Sequence, residues 1–124
     1  EVPNTPAGGD EALRSLLALD EPPTAVVTST DTLAVGVLYA AYAMGRSVPR
    51  DLSVVGFDDI FLATHTIPPL TTLRMPTREI VHAGVEMAID AARNGRPTGE
   101  PRVEVIAPSL IVRESTAPPP ADRS

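Results

Sequence analysis

Residues 24–44 read TAVVTSTDTLAVGVLYAAYAM. The run Thr24–Thr28 is short, rich in β-branched residues and uninterrupted, which is typical of strands covered on both faces and predicts a central parallel strand. From Asp31 to Met44 the apolar residues follow two helical stripes, so one stripe should pack on the sheet and the other on a second partner. Leu52–Phe57 predicts another strand. This order of elements indicates an α/β fold with a parallel, Rossmann-like sheet.

Further elements are predicted on both sides of this unit. Apolar spacing predicts an amphipathic helix over Asp10–Leu19, after a loop over residues 1–8 that looks as if it were entered from an upstream segment. Asp58–Pro69 has no sustained period and predicts a loop, which leads into a short extended run over Leu70–Met75. Thr77 is suited to cap a helix that continues to Asn94.

The C-terminal part is weakly patterned. Arg102–Arg113 alternates loosely and predicts one or two edge strands, interrupted at Pro108. Residues 116–124 are Pro-rich and polar, which predicts a disordered tail. A chain of 124 residues holds one compact α/β core rather than two. We therefore expect one compact α/β domain.

The composition excludes several classes of function. The formal net charge is −6 with no basic run, which argues against a surface that grips nucleic-acid phosphates. All 10 cationic residues are arginine, so lysine Schiff bases and a P-loop lysine are excluded. There are 0 cysteines, which excludes disulfides, thiolate catalysis and zinc–cysteine sites. No apolar run approaches the roughly 18 residues of a membrane span, and we expect a soluble, cytoplasmic protein.

Polar residues follow the two predicted strands at the point where each ends. Thr30 and Asp31 come after the first strand, and Phe57, Asp58 and Asp59 come at the end of the second. Ligands of open parallel sheets bind beyond the carboxyl ends of the strands. Carboxylates accept paired hydrogen bonds from vicinal hydroxyls, and an aromatic ring can cover the apolar face of a sugar or base. The pattern predicts a cleft for a polyhydroxylated small molecule.

The same residues also have simpler interpretations. Asp31 at a helix start can be an ordinary capping carboxylate. Asp58 and Asp59 can form a turn or a structural hydrogen-bonding pair. His65 and His82 lack a metal-ligand pattern and are expected to be solvated or packed. We predict no cofactor, no metal site and no catalytic residue.

Two enzymatic alternatives fit the sequence less well. Aspartates clustered at strand ends also bind Mg²⁺ in phosphotransfer sites, but the chain has no lysine to accompany them. A hydrolase built from Ser29 or Ser53 with His65 would be expected to carry the nucleophile-elbow pattern G-x-S-x-G, which does not occur. We expect the chain not to be an enzyme.

Four blocks of sequence, taken in this order, carry a resemblance to a known family: Pro23–Gly36, Val48–Ile60, Pro68–Thr72 and Leu110–Ser115. Together they resemble the C-terminal part of the effector-binding region of LacI/GalR transcription regulators. The resemblance covers roughly Gly9–Ser115 and implies an incomplete periplasmic-binding-protein-like type I fold, in which Rossmann-like subdomains are joined by crossover strands. It implies that the helix over 77–94 belongs to the other subdomain.

The resemblance also implies a function. In such regulators a small effector, usually a sugar or a nucleobase-like molecule, shifts the relative orientation of the subdomains and thereby the spacing of the DNA-binding heads. Those heads are an N-terminal helix-turn-helix that lies outside this sequence. The alternative is a solute-binding protein of an ABC sugar transporter, which shares the fold.

The resemblance assigns further candidate residues to the ligand pocket. A pocket aspartate of the family maps onto Asp31, and Thr30 stands where asparagine is usual. A crossover position that is often glutamine falls on Met75, whose thioether is a weak hydrogen-bond acceptor. Thr77 lies two residues further on. With Phe57 and Asp58, these are the predicted ligand-binding residues.

The resemblance finally implies a homodimer. C-terminal subdomains would pair across a twofold axis through the helix Asp31–Met44 and the loop Leu62–Ile67. The predicted interface residues are Val37, Leu38, Ala41, Tyr42, His65 and Thr66. The alternative is that the second stripe of the helix packs against an intramolecular element that lies outside this sequence.

Overall fold

The computed structural model describes residues 1–95 and 102–119. Its helices are α1 (Pro6–Leu17), α2 (Asp31–Ala43), a 3₁₀ helix (Phe61–Thr64) and α3 (Thr77–Asn94). Its strands are β1 (Ala25–Val27), β2 (Ser53–Asp58), β3 (Thr71–Arg74) and β4 (Ser109–Ile111). The chain divides into two compact units, the first made of Glu1–Arg74 with Leu110–Ser124 and the second of Met75–Ser109.

The strands form one sheet in the order β1-β2-β3-β4. β1 pairs with β2 in parallel, with Val26 opposite Val54, and β2 pairs with β3 in parallel, with Gly56 opposite Thr72. The predicted α/β fold with a parallel sheet is therefore confirmed. Residues 24–28 were predicted to form a central strand; among the strands that the structure describes, β1 stands first in the order and Val27 is 72% exposed. A β-branched run indicates strand propensity and does not determine the place of the strand in the sheet.

Both long helices of the first unit begin at a threonine cap. The side chain of Thr30 accepts a hydrogen bond from the backbone N–H of Leu33, and α2 starts at Asp31 as predicted. The side chain of Thr5 accepts from the N–H of Gly8, and Pro6 takes the first helical position, where proline is favoured. The helix predicted to start at Asp10 therefore starts earlier, inside the segment predicted to be a loop.

α1 supplies the partner that the second stripe of α2 needs. The two helices pack against each other, and α2 also packs on the sheet at β2. As a result residues from both stripes of α2 are buried. The core comprises Leu13, Ala34, Val37, Leu38, Ala40, Ala41, Leu52, Val54, Ala63 and Leu70.

The segment that follows β4 is hydrogen-bonded to the sheet of the first unit. The buried hydroxyl of Ser115 donates to the carbonyl of Val54 at 2.6 Å and accepts from the N–H of Thr71 at 2.8 Å. Ala117 exchanges hydrogen bonds with the Ser53 hydroxyl. These contacts order the start of the predicted tail, and residues 120–124 of that tail lie outside the described residues.

The second unit is simpler. α3 spans the residues predicted for it, but Thr77 is its first helical residue rather than its cap, and Pro76 precedes it without a side-chain hydrogen bond. None of the residues of α3 is buried. Residues 102–108 are not in a strand, so the described part of Arg102–Arg113 contributes only β4.

Glycine permits the close approach of α1 to α2. A Cβ at Gly36 would lie 1.8 Å from the carbonyl oxygen of Pro6, a backbone atom that cannot turn aside. We expect Gly36→Ala to lower the free energy of unfolding by about 1–3 kcal/mol or more, since the helices must separate. Gly84→Ala in α3 is the matched control. No atom lies within 4 Å of a Cβ there, and helix propensity should stabilise it by about 1 kcal/mol. Urea titration measures both changes, and a neutral Gly36→Ala would contradict the packing argument.

Candidate functional site

The carboxyl ends of β1, β2 and β3 meet at one edge of the sheet because the three strands run in parallel. β1 runs into Thr30 and Asp31, and β2 ends at Asp58, which lies opposite Arg74 in the register with β3. We call this region the strand-end edge. The two groups of polar residues that the sequence placed after separate strands therefore belong to the same edge of one sheet.

Asp31 occupies the centre of the strand-end edge and is completely buried, with 0% exposure. Its Oδ1 accepts a hydrogen bond from the Thr72 hydroxyl at 2.6 Å, and its Oδ2 accepts from the N–H of Ile60 at 2.9 Å. Both carboxylate oxygens are engaged by the protein, as a buried charge requires. In this structure Asp31 presents no surface to a ligand, and its contacts describe a positioning role. The prediction that it touches the ligand stays a prediction.

The loop after β2 has an unusual backbone. Asp58 and Asp59 have φ angles of 115° and 57°, in a region that L-residues rarely adopt. Asparagine and aspartate tolerate the left-handed region best, which explains Asp59, but the angle at Asp58 is further from that minimum. The loop is held in this form from both sides, by the Ile60–Asp31 hydrogen bond and by the side chain of Asp59.

The carboxylate of Asp59 binds two arginines. Its Oδ2 accepts from Nε of Arg74 at 2.6 Å, and its Oδ1 accepts from Nη2 of Arg113 at 2.5 Å. Arg113 also donates to the carbonyl of Leu70 at 2.7 Å. Burial alone would raise the pKa of Asp59, but the hydrogen bonds and charges of Arg113 and Arg74 outweigh it and hold that pKa below its usual value.

Asp58 has the opposite environment. It is exposed, yet protein atoms around its carboxyl displace water and raise its pKa, and the negative charge of Asp31 adds to the rise. No arginine pairs with it among the contacts of the described residues. Asp58 is therefore a carboxylate with free hydrogen-bonding capacity at the strand-end edge, which is what a hydroxylated ligand would need.

The remaining predicted pocket residues are distributed over both units. Phe57 and Thr30 are half-buried in the first unit. The Thr30 hydroxyl accepts from Leu33 and donates to Asn4 at 2.6 Å, so helix capping already occupies it. Met75 is half-buried and Thr77 is exposed, and both belong to the second unit.

Three of the predicted interface residues, Val37, Leu38 and Ala41, lie in the core of the first unit. This corrects the assignment of Val37 and Ala41, which are 1% and 0% exposed, to a dimer face. Leu38 is 7% exposed and lines a surface cavity together with Tyr42 and Ile67. Tyr42 is 84% exposed, His65 is exposed and Thr66 is half-buried. The ring of His65 packs against that of Phe61, with centroids 4.3 Å apart.

The described residues hold neither a metal-binding cluster nor a membrane-spanning helix. No group of three or more His, Asp or Glu side chains in residues 1–95 and 102–119 is arranged to hold a metal ion. His82 pairs with Glu86 on α3 at 3.6 Å, and His65 contacts Thr64. Within the same ranges no helix is long and apolar enough to cross a bilayer.

Several residues that build the strand-end edge were not singled out by sequence reasoning. Arg74, Arg113 and Thr72 contact Asp59 or Asp31 from positions far along the chain. Thr72 and Arg113 belong to blocks Pro68–Thr72 and Leu110–Ser115, so the sequence did mark their segments. Their individual roles depend on long-range pairing, which carries no local signal.

The fold and the strand-end edge define the class of the protein, an α/β ligand-binding domain with a parallel sheet and candidate ligand residues at its carboxyl edge. The chain belongs to the periplasmic binding protein-like domain family, whose sequence model matches residues 1–116.

The relatives of the chain are transcription regulators. It is 39% identical over 108 residues to the ribose operon repressor of Haemophilus influenzae, covering 87% of this chain and 32% of that protein. It is 43% identical over 117 residues to the HTH-type transcriptional regulator MalR of Streptomyces coelicolor, covering 94% of this chain and 33% of that protein. The chain thus spans about a third of the length of these relatives.

A solved structure shows the same fold. A LacI family transcriptional regulator from Arthrobacter, crystallised in complex with lactose, matches with a TM-score of 0.81 and 29% identity, covering 94% of this chain and 43% of that chain. The resemblance to LacI-type regulators and their effector-binding region is confirmed by these relatives.

The opposite environments of Asp58 and Asp59 predict opposite pH effects. The raised pKa of Asp58 means that its contribution to stability is present below its ordinary pKa of 3.8 and is lost as the pH rises through the raised value. The lowered pKa of Asp59 means that its contribution is present above 3.8 and is lost as the pH falls through the lowered value.

Melting temperatures between about pH 3 and pH 7 test this pair. We expect Asp58→Asn to be more stable than the parent at neutral pH, with an advantage that shrinks on acidification. Asp59→Asn should be less stable, with a deficit that persists until the pH falls below the ordinary carboxyl pKa. Backbone effects of asparagine do not depend on pH, so parallel curves for both variants would contradict the prediction.

Proposed function

We propose that the chain is part of the effector-sensing region of a LacI-type transcription regulator, in which a sugar-like small molecule binds at the strand-end edge. The observation that carries the proposal is that Asp58 offers an exposed, arginine-free carboxylate at the carboxyl edge of a parallel sheet. Regulators named for ribose and crystallised with lactose are among the relatives with this fold, which supports a polyhydroxylated ligand.

In this proposal Asp58 accepts hydrogen bonds from ligand hydroxyls, and the half-buried ring of Phe57 covers an apolar face. Asp31 positions Asp58 and Phe57 indirectly, because its carboxylate is hydrogen-bonded to Ile60 in the loop after β2 and to Thr72 in β3. Thr30 stays a proposed contact in the first unit. For Met75 and Thr77, which belong to the second unit, the role that the resemblance implies stays a prediction. Nucleobase-like ligands and other polyols share this chemistry.

The regulator is favoured over the transporter alternative because the relatives are a repressor and an HTH-type regulator. DNA contact would be made by a helix-turn-helix outside this sequence, since the acidic chain carries no basic run of its own. We further propose that the protein works in the cytoplasm, without cofactor and without catalysis.

We also propose a homodimer through the elements that the sequence predicted, α2 and the loop after β2, with a revised set of residues. The proposed apolar dimer face is made of the exposed residues Tyr42, Phe61, His65 and Ile67. Tyr42 and Ile67 line one surface cavity of about 200 Å³, so the helix and the loop converge there. A cluster of exposed apolar side chains of this kind marks an interaction surface.

A thermal-shift screen of the intact regulator tests the ligand proposal. The probes are ribose, lactose, nucleosides and simple polyols at millimolar concentration. A ligand at about 100 times its Kd stabilises a protein by about 2.7 kcal/mol, which is readily detected. We expect at least one sugar to stabilise the parent, and Asp58→Ala to weaken its binding roughly tenfold to hundredfold through loss of a charge-assisted hydrogen bond.

Two further variants sharpen that screen. Asp51→Ala removes a carboxylate that pairs with Arg50 away from the strand-end edge, so ligand binding should be unchanged. Asp31→Asn keeps the size of the side chain, and we expect it to lower the melting temperature of the ligand-free protein. If Asp31→Asn instead abolished binding while melting like the parent, Asp31 would be the contact and the positioning role would be wrong.

Light scattering after size exclusion tests the dimer. We expect Tyr42→Glu to shift the intact regulator toward monomer, because a charge would be buried at the apolar dimer face. Leu19→Glu, at an exposed leucine after α1, is the control and should leave the dimer intact. A charge at Leu38 would be uninformative, since this residue is in the core. An unchanged dimer in Tyr42→Glu would refute the proposed face.

A further inference from the structure

The carboxylate of Asp59 with Arg74 and Arg113, which we call the arginine clamp, lies where the chain leaves and re-enters the first unit. Arg74 is the last residue before the chain passes to the second unit, and Arg113 follows closely on its return at Leu110. We propose that Asp59 is a positioning residue that ties both crossing points to the loop bearing Asp58, so that ligand contact at Asp58 is transmitted to them. The transmission step rests on the ligand-sensing function proposed above.

The clamp is one carboxylate shared by two distant segments. Each oxygen of Asp59 binds a different arginine, and the partners are 15 and 54 residues away in sequence. The second guanidinium nitrogen of Arg113 reaches the carbonyl of Leu70, just before β3. The clamp therefore links the loop after β2, both ends of β3 and the segment after β4.

The contact to Arg74 contributes little to stability. The Arg74 side chain is 57% exposed, and ion pairs of exposed arginines stabilise proteins weakly. Arg113 is 14% exposed and the Asp59 side chain 7%, so that half of the clamp is shielded from water and stronger. The Asp59–Arg74 contact is therefore weak and the Asp59–Arg113 contact is strong. A weak contact can break or re-form when a ligand binds, whereas the strong one keeps Asp59 in place.

The backbone connects the clamp to the ligand residue. Asp58 and Asp59 are consecutive, and both have positive φ angles. Non-glycine residues keep such a conformation only when their surroundings hold it. Here Asp31 holds Ile60 on one side, and the arginines hold Asp59 directly. Asp58 shares a peptide with Asp59. In this proposal a ligand that draws the carboxylate of Asp58 toward itself shifts that peptide, and the arginines bound to Asp59 follow.

Hydrogen–deuterium exchange of the intact, ligand-free regulator tests the clamp first. We expect Asp59→Asn to speed exchange roughly tenfold or more in both Leu73–Met75 and Leu110–Arg113. Arg74→Gln should act mainly on the first segment and Arg113→Gln mainly on the second. Asp51→Asn, which removes another arginine-paired carboxylate, should leave both segments unchanged. Unchanged exchange at the crossing points in Asp59→Asn would overturn the proposal.

The second measurement adds the sugar that stabilises the parent, chosen from ribose and lactose. In the parent, binding should slow exchange at both crossing segments. In Arg74→Gln the same sugar should bind with a Kd within about threefold of the parent, and the slowing at Leu73–Met75 should be lost. Arg74→Lys, which keeps the charge and a donor, should restore it at least in part. If the ligand-dependent slowing at Leu73–Met75 persisted in Arg74→Gln, transmission would be refuted.

The two proposals fail in different ways. If neither sugar binds the parent, the sugar-sensing function is contradicted, and the clamp is judged on the ligand-free exchange alone. If a sugar binds and Arg74→Gln still shows the slowing of the parent, the sensing function stands and the clamp does not transmit it. If Asp59→Asn fails to fold, hydrogen–deuterium exchange of Arg74→Gln and Arg113→Gln without ligand tests the clamp instead, because each variant removes one of the two contacts of Asp59.

Discussion

The structure of the first unit depends on the buried carboxylate of Asp31. A charge with no exposure to water is tolerated only if its oxygens are hydrogen-bonded, and the N–H of Ile60 and the hydroxyl of Thr72 meet that requirement. These bonds join the start of α2 to the loop after β2 and to β3. Gly56 must be glycine because a Cβ there would lie 2.1 Å from Oδ1 of Asp31. One side chain thus brings three elements together at the strand-end edge.

Three aspartates lie close together in this region and play three roles. Asp31 is buried against neutral donors, Asp59 is buried against two arginines, and Asp58 is exposed with no arginine partner. Their environments separate the pKa of Asp58, which is raised, from that of Asp59, which is lowered. The surroundings of each carboxyl, more than its position after a strand, decide whether it supports the fold or is free to meet a ligand.

Sequence reasoning recovered the alternation of helices and strands well and placed the polar residues of the site at the correct edge. It failed where a local pattern had several tertiary outcomes. Residues 1–8 were predicted to form a loop, but α1 starts at Pro6, and Gly9 allows α1 to approach α2 at Leu33. The two apolar stripes of α2 suggested a partner chain, yet α1 of the same chain takes that place. Tyr39 and Tyr42 are the exposed aromatic residues of α2, and of the two only Tyr42 was predicted at the interface.

By itself the sequence determined the parallel α/β fold, the family to which the chain belongs and the segments that carry polar groups at strand ends. Hydrophobic periodicity and helix caps are local properties, so they can be read along the chain. Only the tertiary structure decided that the carboxylate of Asp31 is buried and bonded to Thr72, and that Asp59 joins Arg74 to Arg113. These outcomes depend on which distant residues meet and on how much water they exclude, and neither quantity is encoded at a single position.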